Sequence, residues 1–171
     1  MSAGAKLSYT PNHLGHVNIY VRNAEASQKW YEDVLGLHTY DFLPGRAAFM
    51  SANLDESHEV ALMEVGESAR GPEKGQVGLN HMAWRMDSLD DLKEFYHRLN
   101  DKEVAFTPQD HGISMGLYFK DPDGNGIEVY YELPRSQWRA QEGIFMQGKN
   151  PKGQFPGPWD EIMAQPQAVA R

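Results

Sequence analysis

Apolar positions recur along the chain in two periods, and the periods come in the same order in each half. "LGHVNIYV" (14–21) is rich in branched and aromatic residues and predicts a strand. "NAEASQKWYEDVLGL" (23–37) shifts to helical spacing. Trp30, Val34 and Leu37 would share a face, with Asn23 as N-cap and Gly36 as stop. "AAFMSAN" (47–53) and "EVALMEV" (59–65) return to strand character, with polar turns between. The second half opens with "LNHMAWRM" (79–86), another predicted strand. "SLDDLKEFYHRLND" (88–101) then predicts a helix: Ser88 caps it with Asp91 three residues on, and Leu92, Phe95, Tyr96 and Leu99 form its apolar face. "VAFTP", "MGLYFKD" and "GIEVYYEL" follow as strands over 104–108, 115–121 and 126–133.

Each half therefore reads as strand, helix and about three strands. The predicted fold is α+β: two βαβββ modules, one over about 12–66 and one over about 79–133, forming a cupped mixed sheet within one domain, 1–133. The repeat sets His16 against His81, 65 residues on, and Ala61 against Glu128. From Pro134 the pattern breaks. Residues 134–171 are rich in proline and glycine and hold two of the four tryptophans, as expected of an irregular C-terminal arm that caps a pocket mouth or packs on a neighbouring subunit.

Composition narrows the chemistry. With no cysteine, disulfides, thiolate metal sites and a cysteine nucleophile are excluded, and a reducing compartment suits the chain. Net charge is −8, from 16 basic and 24 acidic residues, and no basic block appears. Nucleic acid and anionic membranes are not the expected partners. No apolar segment reaches the roughly 20 residues that span a bilayer, and the N-terminus lacks the apolar core of a signal peptide. The expected setting is the cytoplasm.

Glu128 stands out, because a carboxylate alternating with apolar neighbours in "GIEVYY" must face something polar. A lone histidine in an apolar strand is more often a hydrogen-bonded core residue than a ligand. Should both module-opening strands and the closing strand line one concave sheet, His16, His81 and Glu128 would converge. Two imidazoles and a carboxylate make the facial set that leaves open positions on non-haem Fe(II). Their separations match no short-range metal motif, so spacing alone does not decide.

"LGHVNIYV", "WYEDVLGL", "LNHMAW" and "DPDGNGIEVYYE" together resemble the vicinal oxygen chelate (glyoxalase/bleomycin-resistance/dioxygenase) superfamily over roughly residues 12–133. The second half resembles type I extradiol ring-cleaving dioxygenases, whose signature runs His, spacer, apolar residue and Tyr, Asp-Pro-x-Gly, then Glu. Here it reads His111, Leu117-Tyr118, Asp121-Pro122-Asp123-Gly124 and Glu128; the chain departs from the family at Gln109. "HEVALM", from His58, resembles the segment that brings a further histidine to the substrate pocket.

The resemblance implies His16, His81 and Glu128 as ligands of Fe(II), with Mn(II) able to replace it. It implies His111, Tyr118 and His58 as catalytic residues around a catechol-type substrate and O₂. Tyr118 and His58 would orient and help deprotonate the catechol, and His111 would deliver a proton for oxygen–oxygen cleavage. The product would be a ring-opened semialdehyde or keto acid. The plain alternatives are a core aromatic for Tyr118 and a turn residue for His58, since strand parity puts residue 58 out of phase with Ala61. His13, His38 and His97 match nothing and read as surface or edge histidines.

Two other functions fit the same pattern. A glyoxalase-like isomerase or epimerase would want a fourth protein donor where the repeat puts Ala61, and Glu64 lies on the opposite strand face. A metal-free protein that sequesters a small ligand would have no use for the buried carboxylate. Exposed edge strands in a small open-sheet domain need cover, so a homo-oligomer, a dimer or larger, is expected.

Overall fold

The computed structural model describes residues 10–138, and the chain divides into two compact units, Met1–Ala69 and Arg70–Arg171. The C-terminal arm expected over 134–171 lies outside the described residues from 139 onward. Among the described residues no helix is long and apolar enough to cross a membrane.

Unit one runs β1 (Val17–Val21), α1 (Ala24–Trp30), a π-helical turn (Tyr31–Leu35), β2 (His38–Leu43), β3 (Ala47–Ser51) and β4 (Val60–Glu64). The sheet order is β1-β4-β3-β2, with β1 parallel to β4 and the rest antiparallel. Asn23 caps α1 by accepting from the Ala26 amide at 2.9 Å. The predicted helix over 23–37 is α-helical only to Trp30. Its last turn widens, and Gly36, at φ 76°, ends it in the left-handed region that costs glycine nothing. The widened turn keeps Tyr31, Val34 and Leu37 in the core, whereas Trp30 is only half-buried.

Register sorts unit one's sheet into two faces. Val17, Ile19, Val21, Val60, Leu62, Ala48 and Met50 lie on the helix side with Thr39, whose hydroxyl accepts from Gln28 of α1 at 2.9 Å. Glu64, on the same side, accepts from the Ala24 amide at 2.9 Å and so holds the first turn of α1. The opposite face carries Asn18, Tyr20, Ala47, Phe49, Ala61 and Met63.

Unit two repeats the path: β5 (Met82–Arg85), α2 (Leu89–Asp101), β6 (Thr107–Asp110), β7 (Ser114–Lys120) and β8 (Gly126–Glu132), in sheet order β5-β8-β7-β6 with β5 parallel to β8. Ser88 caps α2 through the Asp91 amide, as the sequence predicts. Leu92, Phe95 and Leu99 are buried, and Phe95 meets Phe119 of β7 at 6.0 Å between ring centres. Each such side chain contributes roughly 1.5–3 kcal/mol by leaving water. Met82, Trp84, Leu117, Phe119, Ile127 and Val129 lie toward α2. Ala83, Arg85, Gly116, Tyr118, Glu128 and Tyr130 lie on the other face.

The two module-opening strands begin later than predicted: His16 and His81 each sit just before the strand. In both units the residue two past the histidine meets the expected counterpart, Asn18 against Ala61 and Ala83 against Glu128. The internal repeat thus holds at the level of backbone register.

Candidate active site

In unit two the polar groups gather on the face turned away from α2. Glu128, in the middle of β8, is only 7% exposed. Its Oε2 lies 3.1 Å from His81 Nε2, brought there by the turn that enters β5. The ring's other nitrogen, Nδ1, lies 2.7 Å from Asn80 Oδ1. A side-chain carbonyl oxygen has no proton to give, so the proton of that contact belongs to Nδ1. In the neutral ring Nε2 then turns a lone pair toward a carboxylate oxygen. Two acceptors at that distance call for a cation between them, a proton or a metal ion.

Tyr118 stands beside Glu128 in the β7–β8 register, and its hydroxyl is 2.8 Å from His111 Nε2. The His81 and Tyr118 rings meet edge-on at 5.4 Å. Burial, and then the hydrogen bond to the Glu128 carboxylate, push the Tyr118 phenol well above its ordinary range, so it stays a proton donor at neutral pH.

Local structure explains each placement. Asp110 is buried and accepts from the Gly112 amide at 2.6 Å, while His111 N donates to Ser114 O at 2.9 Å; together they fix the turn that presents His111. Asp121 Oδ1 accepts from the amides of Asp123 and Asn125 at 2.9 and 2.8 Å, which closes the "DPDGNG" turn and starts β8. Two glycines make room. A Cβ on Gly116 would lie 2.6 Å from Glu128 Oε1, and one on Gly126 would lie 2.3 Å from the Asn80 carbonyl oxygen. The sequence reading missed Asp110, Asn80 and both glycines. The glycines carried a readable signal, since glycine within a strand marks a close approach.

Unit one brings together His16 and His58, with ring centres 4.5 Å apart, and Phe49 closes on His58 at 5.4 Å. His58 lies in the turn before β4 and contacts the Ser57 hydroxyl at 3.0 Å. Glu59 ties the loop down, accepting from Ser51 Oγ at 2.9 Å and the Ala52 amide at 2.8 Å. Among the described residues, no three His, Asp or Glu side chains are placed so that together they could hold a metal ion. His81 and Glu128 share unit two with His111 and Tyr118, while His16 and His58 share unit one.

The family model described as the glyoxalase/bleomycin resistance protein/dioxygenase superfamily matches residues 13–129. The chain belongs to this superfamily. Among its superfamily relatives, a catechol-2,3-dioxygenase of Bacillus subtilis (strain 168) is 34% identical over 136 residues, 78% of this chain and 47% of the relative. Biphenyl-2,3-diol 1,2-dioxygenase 3 of Rhodococcus globerulus is 36% identical over 127 residues, 72% of this chain and 64% of the relative. A manganese-dependent 2,3-dihydroxybiphenyl 1,2-dioxygenase of Geobacillus genomosp. 3 is 28% identical over 80% of this chain and 41% of its own. The chain thus spans about two fifths to two thirds of the length of these curated dioxygenases.

Solved structures share the superfamily fold. A glyoxylase/bleomycin resistance protein/dioxygenase domain from Frankia sp. EAN1pec aligns with a TM-score of 0.60 at 22% identity, covering 72% of this chain and 100% of that one. A lactoylglutathione lyase from Agrobacterium tumefaciens aligns at 0.57 and 24% identity, covering 71% and 94%.

Within this superfamily chain, the donor set of His81 and Glu128 suits a divalent cation of borderline character. It is one imidazole nitrogen and one carboxylate oxygen, with no thiolate, and the imidazole's far nitrogen is already engaged.

Proposed function

We propose that this chain is a non-haem Fe(II)-dependent extradiol dioxygenase that opens the ring of a catechol-type substrate with O₂, Mn(II) being the alternative metal. His16, His81 and Glu128 would hold the ion, and the two modules would act as one domain, 1–133, with 134–171 as an arm. The observation that carries this reading is the hydrogen-bonded pair His111–Tyr118 beside the Glu128–His81 pair, in a chain whose curated relatives include catechol dioxygenases.

When bound, the metal would supply Lewis acidity toward the diol and a place for dioxygen close by. Everything else falls to side chains. Tyr118 keeps its proton, so its hydroxyl donates to a substrate oxygen and orients the ring. His111 shares that hydroxyl and would give or take the proton that ring opening moves. His58, with Phe49 edge-on against it, would be the further pocket histidine that the family resemblance implies.

An isomerase on this fold would want a fourth protein donor, and the register puts Ala61 in the position of Glu128. The deciding experiment is anaerobic loading with ferrous iron, followed by a panel of catechols and then air. The expected result is oxygen uptake with a yellow ring-opened product. Full iron occupancy without oxygen uptake on any catechol would sink the proposal.

A further inference from the structure

We infer that Asn80 is the positioning residue of His81: its side-chain oxygen holds the Nδ1 proton and thereby turns Nε2 to Glu128. Three independent observations meet here. Asn80 Oδ1 is 2.7 Å from His81 Nδ1, and Nε2 is 3.1 Å from Glu128 Oε2, so the ring is held from both ends. Gly126, opposite the Asn80–His81 turn, has no side chain; a Cβ there would sit 2.3 Å from the Asn80 carbonyl oxygen and 3.0 Å from His81 Cβ. The turn carrying Asn80 can close down on β8 only because that position is glycine.

The third observation is the other copy of the repeat. In unit one the residue before the histidine is Gly15, and the position corresponding to Gly126 is Glu59. Space before the histidine and bulk opposite it have changed places between the units. A Cβ on Gly15 would meet nothing within 4 Å, so no crowding demands glycine there. At the position before the histidine unit two has, and unit one does not, a side chain that can grip the ring from behind. A neutral imidazole carries one proton, and which nitrogen bears it is set by the partner of the other. With Asn80 as acceptor the proton stays on Nδ1, and the nitrogen facing Glu128 is free to donate a lone pair to a cation.

The test uses the full-length chain without metal, then with Mn(II) as probe. Long-range ¹H–¹⁵N spectra at neutral pH should show His81 protonated at Nδ1. In Asn80→Leu, which keeps volume and removes the acceptor, the proton should move to Nε2. By electron paramagnetic resonance titration, Asn80→Leu should weaken Mn(II) binding about 10–100-fold, while Asn80→Asp, which keeps an acceptor oxygen, should stay within about threefold or tighten. The melting temperature of the metal-free Leu variant should match wild type, which separates orientation from folding. An unprotonated Nδ1 in the wild-type chain, or Mn(II) affinity unchanged in the Leu variant, would overturn the inference. Should the wild type bind no Mn(II), the metal reading fails, and the spectra alone decide the role of Asn80.

Discussion

Two positions past each module's histidine, β1 meets Ala61 in unit one and β5 meets Glu128 in unit two. The neighbouring strands follow suit. Next to Ala61, β3 carries Phe49 and Ala47; next to Glu128, β7 carries Tyr118 and Gly116. Beside that position one unit sets apolar side chains, and the other sets a phenol and the space left by a glycine. The backbone path is common to both. A repeat therefore fixes where a functional group can stand, while a handful of side chains, glycines among them, decide which copy carries the buried carboxylate.

Exchanging the two faces is the strongest way to break this contrast. Glu128→Ala should abolish metal uptake and turnover, a loss beyond the roughly 10–100-fold that changes behind a ligand cost. The mirror change, Ala61→Glu, buries a carboxylate where exposure is 0%. It should lower unfolding free energy by about 3–5 kcal/mol in urea titrations, with Ala47→Gly recovering part of the loss by copying Gly116. Next in size is His111→Ala: metal content measured by mass spectrometry should stay near wild type while kcat falls about 10²–10⁴-fold. Collapse of metal content would mean that His111 acts as a ligand. Gly116→Ala, whose Cβ would meet Glu128 Oε1 at 2.6 Å, should cost about 1–3 kcal/mol of stability and weaken Mn(II) binding, because the carboxylate must shift. Smallest are the helix caps: Asn23→Ala and Ser88→Ala should each cost about 1 kcal/mol in thermal unfolding, to the same extent in the two units.

The sequence declared the repeat, both caps and, apart from half-buried Tyr96, the buried face of α2, because these rest on local spacing that any single segment displays; in the first helix it chose half-buried Trp30 where the widened turn buries Tyr31. It did not declare β2. His38–Leu43 is exposed or half-buried throughout, so no alternation marks it as a strand. Nor did it place β6, predicted over 104–108 and found at Thr107–Asp110. Phe106, the strongest strand signal there, packs on Tyr96 at 5.2 Å before the strand begins, and Pro108 is tolerated because β6 is an edge. Glu128 announced itself by breaking an apolar run. Asp110 and Asn80 did not, since a carboxylate that holds a turn and an amide that grips a ring look like any other surface-prone residue until the chain is folded.

Glu64 carries one more consequence. Its carboxylate accepts from the first amide of α1 on the helix side of the sheet, so turning it to the face that carries Ala61 would break that bond. Unit one therefore has no spare acid at the end of β4 to offer, and with His16, His81 and Glu128 as the proposed ligands, any further position around the ion would be left to molecules arriving from solution.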